Sequence, residues 1–111
     1  VGGASMKAAL DAGEPVTLPQ VDSIADGLLP VRSGNRTFEH VREFVDQVIL
    51  VEEDEIRDAA KFLFLHERLV VEFSGAATVA ALRSGRVMSS GRNVAAVVSG
   101  GNVDPGVIAN L

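Results

Sequence analysis

The sequence predicts an α/β protein assembled on a parallel sheet, and three observations carry that reading. Ile56, Ala59, Ala60, Leu63 and Phe64 recur at the spacing of a core-facing helical stripe. The run "AAVV" at residues 95–98 shows no polar alternation, which reads as a strand buried on both faces. Helical and extended patterns alternate along the chain, as parallel strands joined by crossover helices require.

Taken in order, residues 5–12 read as a short helix. "MKAAL" is strongly helix-forming, Ser5 is placed as its N-cap, and Gly13 supplies a left-handed stop. The stretch "GEPVTLPQVDSIADGLLP" has the chemistry of a loop. Phe38, Val41, Val45 and Val48 then keep near-helical spacing with Thr37 placed as a cap, and "VILV" at residues 48–51 reads as a strand beyond that helix. The stripe at residues 56–64 follows, and "LVVE" at residues 69–72 reads as a short extended segment. "SGAATVAALRSG" predicts a helix so poor in bulk that Ala76, Ala77, Ala80 and Ala81 would let a sheet come close, with Gly85 ending it. The strand at residues 95–98 closes the αβαβ alternation.

Composition narrows the function classes. A chain of 111 residues with 47% hydrophobic content can bury one modest core, so it fits a single domain or part of one. The absence of cysteine removes disulfide frameworks, thiolate zinc sites and a cysteine nucleophile, and fits a reducing cytoplasm. A formal net charge of −5 without a basic cluster argues against nucleic acid and anionic membranes as partners. No apolar run approaches the roughly 20 residues of a membrane-spanning helix, and no signal-peptide pattern opens the chain. The first residue is Val1 rather than Met, so the start of translation is expected upstream or to have been removed.

The residues that carry chemistry converge on one stretch. "VSGGN" ends the last predicted strand, and ligands of open α/β sheets bind beyond the carboxyl ends of strands. Gly100 and Gly101 permit a ligand ring to lie against bare backbone, and the Ser99 hydroxyl offers one neutral hydrogen bond. A tight turn is the plainer account of the same residues. No base stands near Ser99 in sequence and no nucleophile elbow is present, which argues against a hydrolase triad. The acids of "VEEDEI" at residues 51–56 sit at a helix start, where they complement the helix dipole without an ion. His40 and His66 lack ligand spacing. Asp22 and Asp26 fit one helical face or a pair of loop caps equally well.

Three separated motifs carry a family resemblance. "VDSIADGLLPVRSGNRTFEHVREFVDQVILVEEDEI", "LVVEFSGAATVAAL" and "VVSGGNVD" stand in the order and at about the spacing of the serine/threonine dehydratases and serine racemases, which the chain resembles from Ser5 to Asp104. These are pyridoxal-phosphate enzymes of the tryptophan-synthase-like fold. The resemblance implies part of a parallel-sheet, three-layer αβα domain, with residues 1–111 forming the carboxyl-terminal portion of the large domain and the amino-terminal catalytic half absent. It implies that Ser99 hydrogen-bonds the pyridine nitrogen of the cofactor, that Gly100, Gly101 and Asn102 complete that motif, that Glu72 lies near the ring and that Gly34 belongs to a loop passing beside it. Phe73 stands where the family has proline.

The implied reaction removes the α-proton and β-hydroxyl of an amino acid such as L-threonine or L-serine, giving a 2-oxo acid and ammonia. The family's Schiff-base lysine and glycine-rich phosphate loop lie upstream of this segment. The lysines present, Lys7 and Lys61, both read as solvated, so no catalytic residue is expected here and the chain alone is expected to be inactive. Several relatives hold a divalent cation at the start of this region, but "GGASM" offers no aspartate, so no metal is expected in this chain. The expected partners are an amino-acid substrate and either a homo-oligomer or the missing amino-terminal half. The alternative is a catalytically inactive, free-standing binding or assembly module derived from the same family.

Overall fold

The structure, a computed structural model, describes residues 1–109 and 111. Its elements are α1 (Ser5–Ala12), a 3₁₀ turn (Asp26–Leu28), α2 (Asn35–Phe44), α3 (Glu53–Phe62), a π turn (Leu63–Glu67), α4 (Phe73–Arg83) and α5 (Pro105–Ala109). No helix is long and apolar enough to cross a membrane among the described residues.

Helix α1 runs over the expected residues and ends on Gly13 at φ 78°, a conformation that glycine adopts without a Cβ penalty. Its N-cap is Ala4, not Ser5, which is instead the first helical residue and is buried. Helix α2 likewise starts earlier than predicted. Gly34 is its N-cap and Thr37 lies inside the first turn, because the chain has already turned helical at Asn35. Phe38 is its buried anchor, and Val45 leaves the helix in an extended conformation, so Val48 does not share its face.

The core lies between α3 and α4. Glu52 and Glu55 form a reciprocal capping box at the start of α3, and Glu53, Asp54 and Glu55 fill its first turn, as the dipole reading of "VEEDEI" expects. Ile56, Ala59, Ala60 and Leu63 are buried against Ala76 and Ala80 of α4. Phe64, expected on the same stripe, is 36% exposed. The helix widens into a π turn at Leu63, and this rotates the following side chains off the α-helical face. The small residues of α4 thus admit a helix where the sequence suggested a sheet: Ala76 and Ala80 face α3, while Ala77 and Ala81 line a cavity. Beyond Ser84, Gly85 takes φ 74°, its N–H reaching the Leu82 carbonyl at 3.2 Å while the Arg86 N–H reaches Ala81 at 3.1 Å. Those two bonds are a Schellman stop.

The sheet is where sequence and structure part. Residues 48–51, 69–72 and 95–98 are non-helical but form no ladder among the described residues, whose one β-type contact is an isolated bridge between Thr17 and Arg32. Ala95, Ala96 and Val97 are exposed, so a strand buried on both faces is not what this chain forms by itself. A parallel strand needs neighbours to hydrogen-bond and layers to cover it. Here residues 95–98 have α4 on one side, through the Thr78 hydroxyl donating to the Val97 carbonyl at 2.8 Å.

Candidate cofactor-ring site

Glu72 is the N-cap of α4, yet its carboxylate makes no capping hydrogen bond. It points instead at the segment that follows residues 95–98. The Glu72 N–H donates to the Gly100 carbonyl at 3.2 Å, and a Cβ at Gly100 would overlap the Glu72 carboxylate. Gly100 also sits at φ 81°. Glycine is therefore favoured there by conformation, and a side chain would have to push the mobile end of Glu72 aside. The neighbouring backbone is equally close: a Cβ at Gly75 would collide with the Ser99 carbonyl, and one at Gly101 would come within 3.3 Å of the Val70 carbonyl.

A third segment joins from the 3₁₀ turn. The Gly27 N–H donates to Ser74 Oγ at 2.9 Å, and the same hydroxyl lies 3.5 Å from Asp26 Oδ1. A Cβ on Gly27 would lie 2.8 Å from Ser74 Oγ and 3.9 Å from Glu72 Oε1. The Glu72 carboxylate thus stands between two bare glycine backbones, Gly27 and Gly100. Asp26 belongs to the turn, where its carboxylate accepts from the Gly27 N–H at 2.8 Å, which settles it as a loop cap rather than half of a helical pair with Asp22.

Of the residues singled out in the sequence, Glu72, Ser99, Gly100 and Gly101 come together. Ser99 is exposed and its hydroxyl makes no hydrogen bond among the described residues. Asn102 follows on the exposed surface. Gly34 stands apart from this cluster, at the N-cap of α2, where it lines a cavity of about 610 Å³ together with Arg32, Ser33, Thr37 and Gly27. Gly27, Ser74 and Gly75 were missed in the sequence. The available signal was "SGAAT": a glycine in the first turn of a helix is a poor helix former, and its presence marks close backbone approach.

The remaining candidates have other employment. Lys7 pairs with Asp11 one turn along α1, and Lys61 is exposed in the last turn of α3. His40 Nδ1 bonds the Arg36 carbonyl at 2.8 Å, and His66 stacks on Phe62. Burial pushes the Glu53 carboxyl up, but the Ser23 hydroxyl, the Ile24 N–H and the charge of Arg57 outweigh it and hold it below the ordinary value. That carboxylate ties the loop before the 3₁₀ turn to α3, accepting from Ile24 N–H at 2.8 Å.

The glycines of this cluster serve close packing of the chain on itself, with the Ser99 hydroxyl exposed at its edge. The chain also has known relatives. The chain is 41% identical over 107 residues to a putative threonine dehydratase of Sinorhizobium fredii, covering 95% of this chain and 32% of that protein. Maize serine racemase superposes with a TM-score of 0.85 at 34% identity, over 98% of this chain and 36% of that one. The processed form of threonine deaminase isoform 2 from Solanum lycopersicum gives 0.85 at 32% identity, over 98% and 32%. The chain therefore spans about a third of the length of these relatives. The family described as "Pyridoxal-phosphate dependent enzyme" matches residues 1–100, a span that includes the Glu72, Ser99 and Gly100 cluster, and the chain belongs to that family.

Proposed function

We propose that this chain supplies the cofactor-ring side of a pyridoxal-phosphate-dependent threonine or serine dehydratase, an ammonia-lyase that converts a hydroxy amino acid to a 2-oxo acid and ammonia. The observation that carries the proposal is the Glu72 carboxylate held between Gly27 and Gly100, with the Ser99 hydroxyl unengaged at the neighbouring position. Support comes also from the relatives, whose names are those of threonine dehydratases, threonine deaminases and a serine racemase. In this reading residues 48–51, 69–72 and 95–98 are strands of a parallel sheet in a three-layer αβα domain, completed by the remainder of the fold. The Schiff-base lysine and the phosphate-binding loop belong to that remainder, since Lys7 is committed to Asp11 and Lys61 to solvent.

When bound, pyridoxal phosphate supplies the electron sink that lets the α-proton and then the β-hydroxyl leave. The work of this chain is to hold and tune the ring. Ser99 Oγ takes the pyridine nitrogen as its partner through a neutral hydrogen bond, which does not enforce protonation as an aspartate would. Gly75, Gly100 and Gly101 let residues 99–101 pack closely on residues 70–75, which fixes the backbone that carries Ser99. Glu72 presents its carboxylate on the ring side, and Gly34 borders the adjoining cavity.

Ser99→Ala in the intact protein tests the proposal. A neutral hydrogen bond contributes about 0.5–1.5 kcal/mol net, so cofactor affinity is expected to fall modestly. The rate with L-threonine or L-serine is expected to fall further, because electron demand on the ring grows as the α-proton leaves and the bond then acts on the transition state. Ser99→Asp is expected to shift the cofactor absorption and the balance among elimination, racemisation and transamination. Wild-type rate and spectrum in Ser99→Ala would reduce the glycines to a turn and remove the cofactor assignment.

A further inference from the structure

Between the buried stripe of α3 and the Glu72 site lies a piece of backbone that neither element requires. Leu63 is the last residue of the stripe and the first of the five-residue π turn. Arg68 then takes φ 59° and ψ 28°, the left-handed region, where it is the one non-glycine residue with positive φ among the described residues. The Arg68 and Leu69 N–H groups both reach the Leu63 carbonyl, Leu69 at 3.0 Å. The Arg68 guanidinium bonds back to the Leu65 carbonyl and joins no ion pair among the described residues. A conformation that L-residues disfavour is thus kept by an exposed arginine with no charge partner.

Its effect is on register. From Arg68 the chain runs to Glu72, with the Val70 carbonyl toward Gly101, Val71 against Gly75 and the Glu72 N–H on the Gly100 carbonyl. Side chains of an extended segment alternate between faces, so a shift of one residue would exchange Glu72 for Val71 or Phe73 at the ring side. The π turn adds backbone that an α-helical path would not contain, and the left-handed residue ends it. We infer that the π turn and left-handed Arg68 set the register that brings Glu72 to Gly100, and that Arg68 is a positioning residue acting through its backbone conformation rather than its charge. The link to catalysis rests on the reading of Glu72 as a ring-side residue.

The test compares Arg68→Gly with Arg68→Val in the intact protein. Both remove the guanidinium, but glycine accepts positive φ and valine resists it. Amide hydrogen exchange of residues 69–72 is the readout. Arg68→Val is expected to exchange about tenfold or more faster than Arg68→Gly, because glycine escapes the left-handed penalty and a β-branched side chain increases it; the parent arginine, which already bears a Cβ in that region, is expected between the two. Equal rates in the two variants, whether fast or slow, would overturn the inference. If Arg68→Val fails to fold, Arg68→Ala against Arg68→Gly makes the same comparison with a milder side chain. The cofactor spectrum of Ser99→Ala, recorded in parallel, separates the two readings. If exchange splits as expected but that spectrum is unchanged, the positioning device stands and the ring-side reading falls; the reverse pattern rejects the device alone.

Discussion

Gly100 lies where two distant segments meet. Its φ of 81° acts against substitution, and a side chain there would displace the carboxylate end of Glu72. Gly100→Ala is expected to cost about 1–2 kcal/mol from the left-handed conformation alone, with displacement of Glu72 added to it. Chemical denaturation of the intact protein checks the first part, and loss of the protected Glu72 N–H checks the second. An alanine variant with unchanged stability and protection would mean that the loop relaxes without cost. The same residue shows what the sequence made legible. "SGGN" after an apolar run marked a stretch of bare backbone, whereas "LVVE" by itself read only as an extended segment and Glu72 was singled out through the family resemblance. Gly27 gave no such signal, because its role depends on a turn folding back onto Ser74, 47 residues further along the chain.

The helical elements were readable because their signals are local. A heptad-like stripe, acids in a first turn and a glycine stop each act within a few residues, and α1, α3 and α4 lie close to where those signals put them. Phe64 was misplaced because a π turn has no compositional mark. At the start of α3 the Glu52 N–H holds the Glu55 carboxyl below the ordinary value of 4.5, with Arg86 adding to it. Arg86 follows the Schellman stop of α4 and meets Glu55 at 2.9 Å, so one carboxylate caps α3 and ties it to the far end of α4. A carboxyl whose folded value is depressed contributes stability that is present above its unfolded value and is lost as pH falls through the folded one. The melting temperature is therefore expected to be insensitive to Glu55 ionisation well above pH 4.5 and to fall on acidification below it. Glu55→Gln is expected to flatten that acid slope relative to the parent, measured by thermal melts across the range. An unchanged slope would remove Glu55 from the account.

At the scale of the whole molecule, the predicted sheet marks the boundary of what one segment can show. Val45, Leu69, Val70, Val94 and Val97 are between 46% and 72% exposed, and all lie outside the helices. Exposed single apolar residues are ordinary, but here they lie on non-helical backbone that forms no ladder among the described residues. Groups there that are not already bonded, as the Val45 and Leu69 N–H and the Val97 carbonyl are, can pair with another strand, and the apolar side chains reward the pairing. The apolar runs that read as strands in the sequence therefore form no sheet among the described residues, while the helices around them pack on one another. The expected consequence is that the 111-residue chain, purified alone, self-associates at micromolar concentration or loses fixed tertiary packing while keeping its helices. Sedimentation across a dilution series, with near- and far-ultraviolet circular dichroism on the same samples, distinguishes these outcomes. A monomer with one cooperative unfolding transition would instead favour the free-standing module, because it would show that the exposed extended segments need no partner.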